Sequence, residues 1–238
     1  MSLFHPTYNE RVKLAHNYIS GSERSEVTQG GLLKLILVRH GETHWNKDGL
    51  VQGGDSDIEL NDTGLEQARR LAAFLENEPI TAVLSSPLQR AVATAEVIAS
   101  QHQLPVEIDQ GLKELKVGDL EGISISNLRT TFSRFLLKWW QDGEAMKLPN
   151  GESLVDLQQR AWKVVEGLLE RHKTSSAVNK DATAVVVSHY FVTLAIILKA
   201  LDLPLDYFIK FKLDLGGVSI LEFRDYGARL VTFNDTSY

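Results

Sequence analysis

Residues Leu35-Ile36-Leu37-Val38 form an unbroken apolar run, and a strand of that composition has no polar face to turn toward water. It must be covered on both sides. The run ends abruptly in Arg39-His40-Gly41, which mounts a cation, an imidazole and a glycine at a strand end. Arg presents a planar fork that matches phosphate oxygens, and His can act as a nucleophile or proton carrier near neutral pH. Gly is expected to let the backbone turn tightly beneath both. The combination suits phosphoryl transfer.

Further along, strand-like runs at 34–38, 80–85, 106–108, 184–188, 218–223 and 230–233 alternate with helical patterns at about 63–77, 88–101, 128–141, 153–172 and 191–201. Strands alternating with helices of this length predict an α/β fold of three layers, a mostly parallel sheet with helices on both faces. Ligands of such sheets bind outside the carboxyl ends of the strands. His40 and His189 each directly follow a buried strand, so both can reach that edge. Residues 1–31 read as an N-terminal extension and linker, with Val12, Ala15 and Ile19 at helical spacing before a polar Ser- and Gly-containing stretch. Residues 32–238 read as the main domain, with the irregular stretch 120–149 as a cap over the functional edge.

The 238 residues are 43% hydrophobic, enough for a sizeable core without covalent staples. The lack of Cys excludes disulfides, thiolate metal sites and a zinc-deaminase reading of His40-Gly41-Glu42, which would need a Cys-x-x-Cys partner. It also suits a reducing cytoplasm. A net charge of −6 offers no general attraction to nucleic acid or anionic membranes. No window approaches the ~20 apolar residues of a membrane span, and the N-terminus lacks the apolar core of a secretory signal. The expectation is a soluble, cytoplasmic protein with a small phosphorylated substrate, no nucleic-acid or membrane partner, and a homodimer left open. His40 and His44, four apart, would suit zinc on a helix, but Gly41 and the strand end argue against a helix there, so no metal or other cofactor is expected.

Arg39-His40-Gly41-Glu42-Thr43 followed by Trp45-Asn46 resembles the RHG signature of the histidine phosphatase superfamily, which includes cofactor-dependent phosphoglycerate mutases and many phosphatases. Further matches follow in order: Gln52-Gly53 with Leu60-Asn61 and Gly64; Ser85-Ser86-Pro87-Leu88-Gln89-Arg90-Ala91 with Thr94-Ala95; Leu112-Lys113-Glu114 through Gly118-Asp119-Leu120-Glu121-Gly122; Pro149-Asn150-Gly151-Glu152-Ser153; and Val187-Ser188-His189. The resemblance runs from about Leu33 to the C-terminus.

The resemblance implies His40 as a nucleophile forming a phosphohistidine, with Arg39 and Arg90 gripping the phosphoryl oxygens and His189 donating a hydrogen bond to them. It implies Glu114 as the acid that protonates the leaving oxygen and then activates water. Glu121 is the rival carboxylate, while Glu107, Asp109 and Asp119 are expected to face solvent. Asn46 and Gln52 are expected to donate amide hydrogen bonds to phosphate or substrate. Trp139, Trp140 and Tyr190 are candidate substrate-binding residues, although aromatic residues at the cap's spacing are more often core. The chain departs from the family pattern in having Tyr190-Phe191 after the second histidine, where Gly is usual, and Glu59 where Pro is frequent.

The expected function is hydrolysis of a phosphomonoester. Two alternatives stand beside it: a phosphoglycerate mutase-type phosphotransferase, and a binding protein on the same fold. The mutases carry a long insertion that this chain lacks between Gly122 and Pro149, and a binding protein would not need Arg39, His40, Arg90, Glu114 and His189 intact. Within the family, the cap sequence resembles those of α-ribazole and broad-specificity phosphatases.

Overall fold

The computed structural model describes residues 31–134, 138–139, 146–174 and 181–238; all but the last residue of the extension read at 1–31, and Trp140, lie outside them. The apolar run becomes β1 (Leu33–Arg39), central in a sheet of six strands ordered β3-β2-β4-β1-β5-β6. The others are β2 (Ile80–Ser85), β3 (Val106–Ile108), β4 (Ala182–Ser188), β5 (Val218–Arg224) and β6 (Gly227–Asp235). β3, β2, β4 and β1 run parallel, whereas β5 and β6 are antiparallel additions. The mostly parallel α/β sheet expected from the alternation is therefore present.

Side chains alternate across the strands, so each face of β1 feeds its own core. Leu35, Leu37, Ala184, Val186 and Leu221 pack with α5 (Leu154–Thr174) and α6 (Tyr190–Ala200). Ile36, Val38, Val83, Val185 and Val187 pack with α2 (Asp62–Phe74) and α3 (Gln89–His102). α6 is buried continuously from Val192 to Leu198, which matches its lack of a polar stripe.

One short helix was not read in the sequence, and another begins earlier than its pattern indicates. α1 (His44–Lys47) is a single turn started by Thr43, whose hydroxyl accepts from the Asn46 amide while the Asn46 side chain accepts from the Thr43 amide. His40 precedes this turn, so His40 and His44 do not share a helix face. α4 (Ile125–Thr131) starts three residues before the pattern expected at 128–141, because Ser124 caps it through Asn127 N.

Candidate active site

The parallel strands deliver their carboxyl ends side by side. Arg39 pairs with Ser188, and His40 N donates to Ser188 O at 3.0 Å, so the residues after β1 and β4 start from one level. His40 and His189 rings lie 5.1 Å apart, centroid to centroid. β2 ends beside them, with Ser86 N donating to Val187 O, and leads into α3, which carries Arg90. Glu114 lies beyond β3, after a 3-10 turn at Gln110–Leu112. All five expected catalytic residues thus approach one edge of the sheet.

Gly41 does not take a positive φ. A Cβ there would lie 2.6 Å from Gly64 O, and one on Gly64 would lie 2.1 Å from Glu42 O. Two glycines let the loop after His40 rest directly on the start of α2. Close approach, not left-handed backbone, is what excludes a side chain at Gly41.

His40 is 4% exposed, and its Nδ1 stands 2.7 Å from Gly41 O. A carbonyl can only accept, so Nδ1 carries the proton and Nε2 holds the lone pair. Burial, reinforced by Arg90 and Arg39, pushes the His40 pKa well below 6.5. The shift favours the neutral ring at neutral pH, with an unprotonated Nε2.

Arg90 is fully buried, with Nη1 donating to Ser56 O at 2.7 Å and Nη2 to Gly53 O at 3.0 Å. Desolvation lowers its pKa to about 10, still well above neutrality. Arg39 Nη1 donates to Leu213 O at 2.6 Å, and the guanidinium sits 5.3 Å from the Tyr190 ring centroid. Tyr190 donates to Phe211 O at 2.9 Å, so the residue that replaces the family's usual Gly forms a fixed wall against Arg39.

Glu114 is 5% exposed; it accepts from Leu115 N at 2.7 Å and from Phe191 N at 3.4 Å. Burial raises its pKa above 4.5 despite those donors and the charges of Arg90 and Arg39. A buried carboxyl whose pKa is raised can hold a proton and transfer it. Glu121 is occupied differently, accepting from Gly53 N at 3.0 Å, Asp55 N at 3.1 Å and the Ser56 hydroxyl. Glu107 pairs with Arg171 at the surface, Asp109 caps Gly111 N, and Asp119 bonds Asn150.

Asn46 spends its Oδ1 on capping Thr43. Gln52 Oε1 accepts from the Thr43 hydroxyl at 2.8 Å, which leaves its amide NH2 over. Trp139 is buried against Phe191 and Phe208, at centroid distances of 5.9 and 5.3 Å, a packing environment that fits the core alternative for it.

Seven buried side-chain nitrogen or oxygen atoms have no hydrogen-bond partner among the described residues. Five of them, Arg39 Nε, Gln52 Nε2, Arg90 Nε, Trp139 Nε1 and His189 Nδ1, are nitrogens of residues expected in the site, and all but Trp139 belong to residues expected to meet the phosphoryl group. Buried polar groups are rarely left unpaired, so unpaired donors of this kind can receive the acceptor oxygens of a ligand. A groove of about 1060 Å³, lined by Trp162, Lys163, Phe223 and Ala228 and reaching Leu33 at the amino end of β1, contains none of the expected site residues.

Two supporting residues escaped the sequence reading. Arg160 on α5 donates to Gly111 O, Lys113 O and Glu114 O, at 2.8, 2.6 and 3.0 Å, and forks onto Glu152. It fixes the backbone that presents Glu114. Ser86, 2.7 Å from His189 Nε2, lies inside a quoted motif, yet nothing in the sequence names its partner.

The sequence profile of the histidine phosphatase superfamily (branch 1) matches residues 35–236. This chain belongs to that superfamily. Among solved structures of similar fold, the α-ribazole phosphatase from Shigella flexneri is 30% identical with a TM-score of 0.73, covering 85% of this chain and 96% of that one. A mutant phosphoserine phosphatase from Entamoeba histolytica, in complex with phosphoserine, is 31% identical with a TM-score of 0.71, covering 86% and 98% respectively. By sequence, the chain is 35% identical over 139 residues to a protein of Yersinia pestis named probable phosphoglycerate mutase GpmB. That match covers 58% of this chain and 64% of the relative's length. Among the described residues of this histidine phosphatase superfamily member, no helix is long and apolar enough to cross a membrane.

Proposed function

We propose that this protein is a phosphomonoesterase that hydrolyses a small phosphorylated metabolite through a phosphohistidine on His40. The observation that carries the reading is the set of buried, unpartnered nitrogens on Arg39, Gln52, Arg90 and His189 beside a neutral His40. A phosphoryl dianion supplies the missing acceptors and charge. His40 Nε2 attacks phosphorus as the bond to the leaving oxygen breaks, and Glu114 gives that oxygen its proton. Water then attacks the phosphohistidine, with the Glu114 carboxylate taking the water's proton, and inorganic phosphate leaves with His40 restored. Arg39 and Arg90 neutralise charge on the equatorial oxygens throughout. The lack of Cys supports a cytoplasmic setting for this reaction.

Acid-labile, base-stable phosphate trapped on the protein during turnover, and absent from His40→Ala, is the expected result. Trapping it on another residue overturns the assignment. The relative named as a mutase keeps phosphotransfer between sugar acids as the second reading. A mutase must keep water from its phosphohistidine while a second substrate is bound, and the span between Gly122 and Pro149 is short for such an enclosure. With 3-phosphoglycerate and a bisphosphoglycerate primer, the expected product is inorganic phosphate or none. Isomerisation that outpaces phosphate release would move the protein to the mutase reading.

A further inference from the structure

We propose that Ser86 is a positioning residue that sets the tautomer of His189, so that His189 meets the phosphoryl group as an Nδ1–H donor. The inference rests on the phosphomonoesterase reading for its consequence, though not for its geometry.

The Ser86 hydroxyl is fully buried and has one proton to place. One of its lone pairs already accepts from Leu88 N at 3.3 Å, and its remaining neighbour is His189 Nε2 at 2.7 Å. Suppose His189 carried its proton on Nε2. Ser86 would then accept twice and its own proton would have no acceptor in these contacts, while His189 Nδ1 would be a bare lone pair. That lone pair would face a dianion whenever substrate bound. Two buried groups would be mismatched, each bearing the desolvation cost of an unmade hydrogen bond.

With the proton on Nδ1, Ser86 donates to Nε2 and its one proton is placed. The one remaining group is Nδ1–H, buried and unpartnered, on a ring 5.1 Å from that of His40. A phosphoryl oxygen then completes it. His189 is also held neutral, because burial, Arg90, His40 and Arg39 all push its pKa down, so its tautomer and not its charge decides what it offers. The logic parallels His40, where Gly41 O holds the proton on Nδ1 and leaves Nε2 to attack. A hydroxyl and a carbonyl thus give the paired imidazoles opposite duties: one donates and the other attacks.

Long-range proton–nitrogen correlation spectra of the intact, substrate-free protein near pH 7 read the tautomer directly, with the His189 signal identified by its loss in His189→Gln. The expected spectrum shows His189 protonated on Nδ1, and Ser86→Ala shows a mixture of tautomers or a reversal. The same variant should lose about tenfold in kcat, less than the roughly hundredfold or more for removing a transition-state donor outright, with a smaller change in KM. Ser86→Thr should restore the wild-type tautomer. An Nε2-protonated His189 in the wild-type protein overturns the proposal whatever the variants do. So does an unchanged tautomer in a folded Ser86→Ala. Because the spectra need no turnover, their outcome is independent of whether hydrolysis is the right reaction.

Discussion

Two segments of the chain, one carrying Glu114 and the other Glu121, present the same side chain seven positions apart, and the surroundings of each differ. Glu114 lies in the buried edge of the sheet with one short backbone donor and one long one, so desolvation dominates and favours its protonated form. Glu121 gathers the amides of Gly53 and Asp55 and the Ser56 hydroxyl, and so braces the loop whose carbonyls, Gly53 O and Ser56 O, receive Arg90. A carboxylate short of donors can hold and move a proton. One surrounded by donors becomes scaffold, and here its charge also supports the guanidinium it helps to position.

The strongest challenge to this contrast is Glu114→Gln. Turnover of alkyl phosphates should fall by roughly 10²–10⁴-fold, while an aryl phosphate with a good leaving group should lose far less. Equal losses on both would mean that Glu114 does not protonate the leaving group. The pH profile gives the same test without truncating the side chain. The protonated acid is the working form for the first step, so alkyl-ester turnover should be present below the raised pKa of Glu114 and decline as pH rises through it. Glu114→Gln should lose that limb and Glu121→Gln should keep it.

Arg160→Met should come next, at about tenfold in kcat, because it releases three carbonyls that fix the Glu114 backbone. Its loss should be leaving-group dependent, like that of Glu114→Gln but smaller; a purely thermal defect with unchanged kinetics would confine Arg160 to stability. Glu121→Gln should act more weakly. It should raise KM several-fold for every phosphate ester alike and lower stability by about 1–3 kcal/mol, read from denaturant melts. Leaving-group dependence in that variant would collapse the distinction between the two carboxylates.

The smallest effect concerns stability against pH. His40 and His189 have folded pKa values below 6.5, so their contribution is intact above that value and is lost as pH falls, when the unfolded chain takes up protons that the folded one refuses. Glu114 works in the opposite sense. Its folded pKa is raised, so the folded state binds a proton that the unfolded chain binds only nearer 4.5, and acidification stabilises the fold through it. Glu114→Gln should therefore steepen the loss of stability on acidification from pH 7 to 5, measured as midpoint against pH. An unchanged slope would mean that the Glu114 pKa is not raised by burial.

Much of this was legible in the chain because it rests on local signals. The run Leu35–Val38 had to be a doubly covered strand, and His40 and His189 each follow such a strand, so a common edge follows from topology. Gly41 was legible as a residue but not in its reason, since the backbone of Gly64 that excludes a side chain there comes from a different element. The helix at Ile125–Thr131 was placed late because Ser124 starts it, and a lone Ser cap is a weak signal beside hydrophobic periodicity.

From its residues alone, the chain determined which candidate side chains would meet and on which edge of the sheet, because strand burial, alternation with helices and the quoted motifs are carried by residues near one another in sequence. Only the tertiary structure decided the states in which those side chains work: the Nδ1 proton of His40 held by Gly41 O, the raised carboxyl of Glu114, the bracing duty of Glu121 and the bond between Ser86 and His189. Tautomer and proton affinity depend on burial and on partners within about 3 Å, and most of the partners that set them here come from distant parts of the chain.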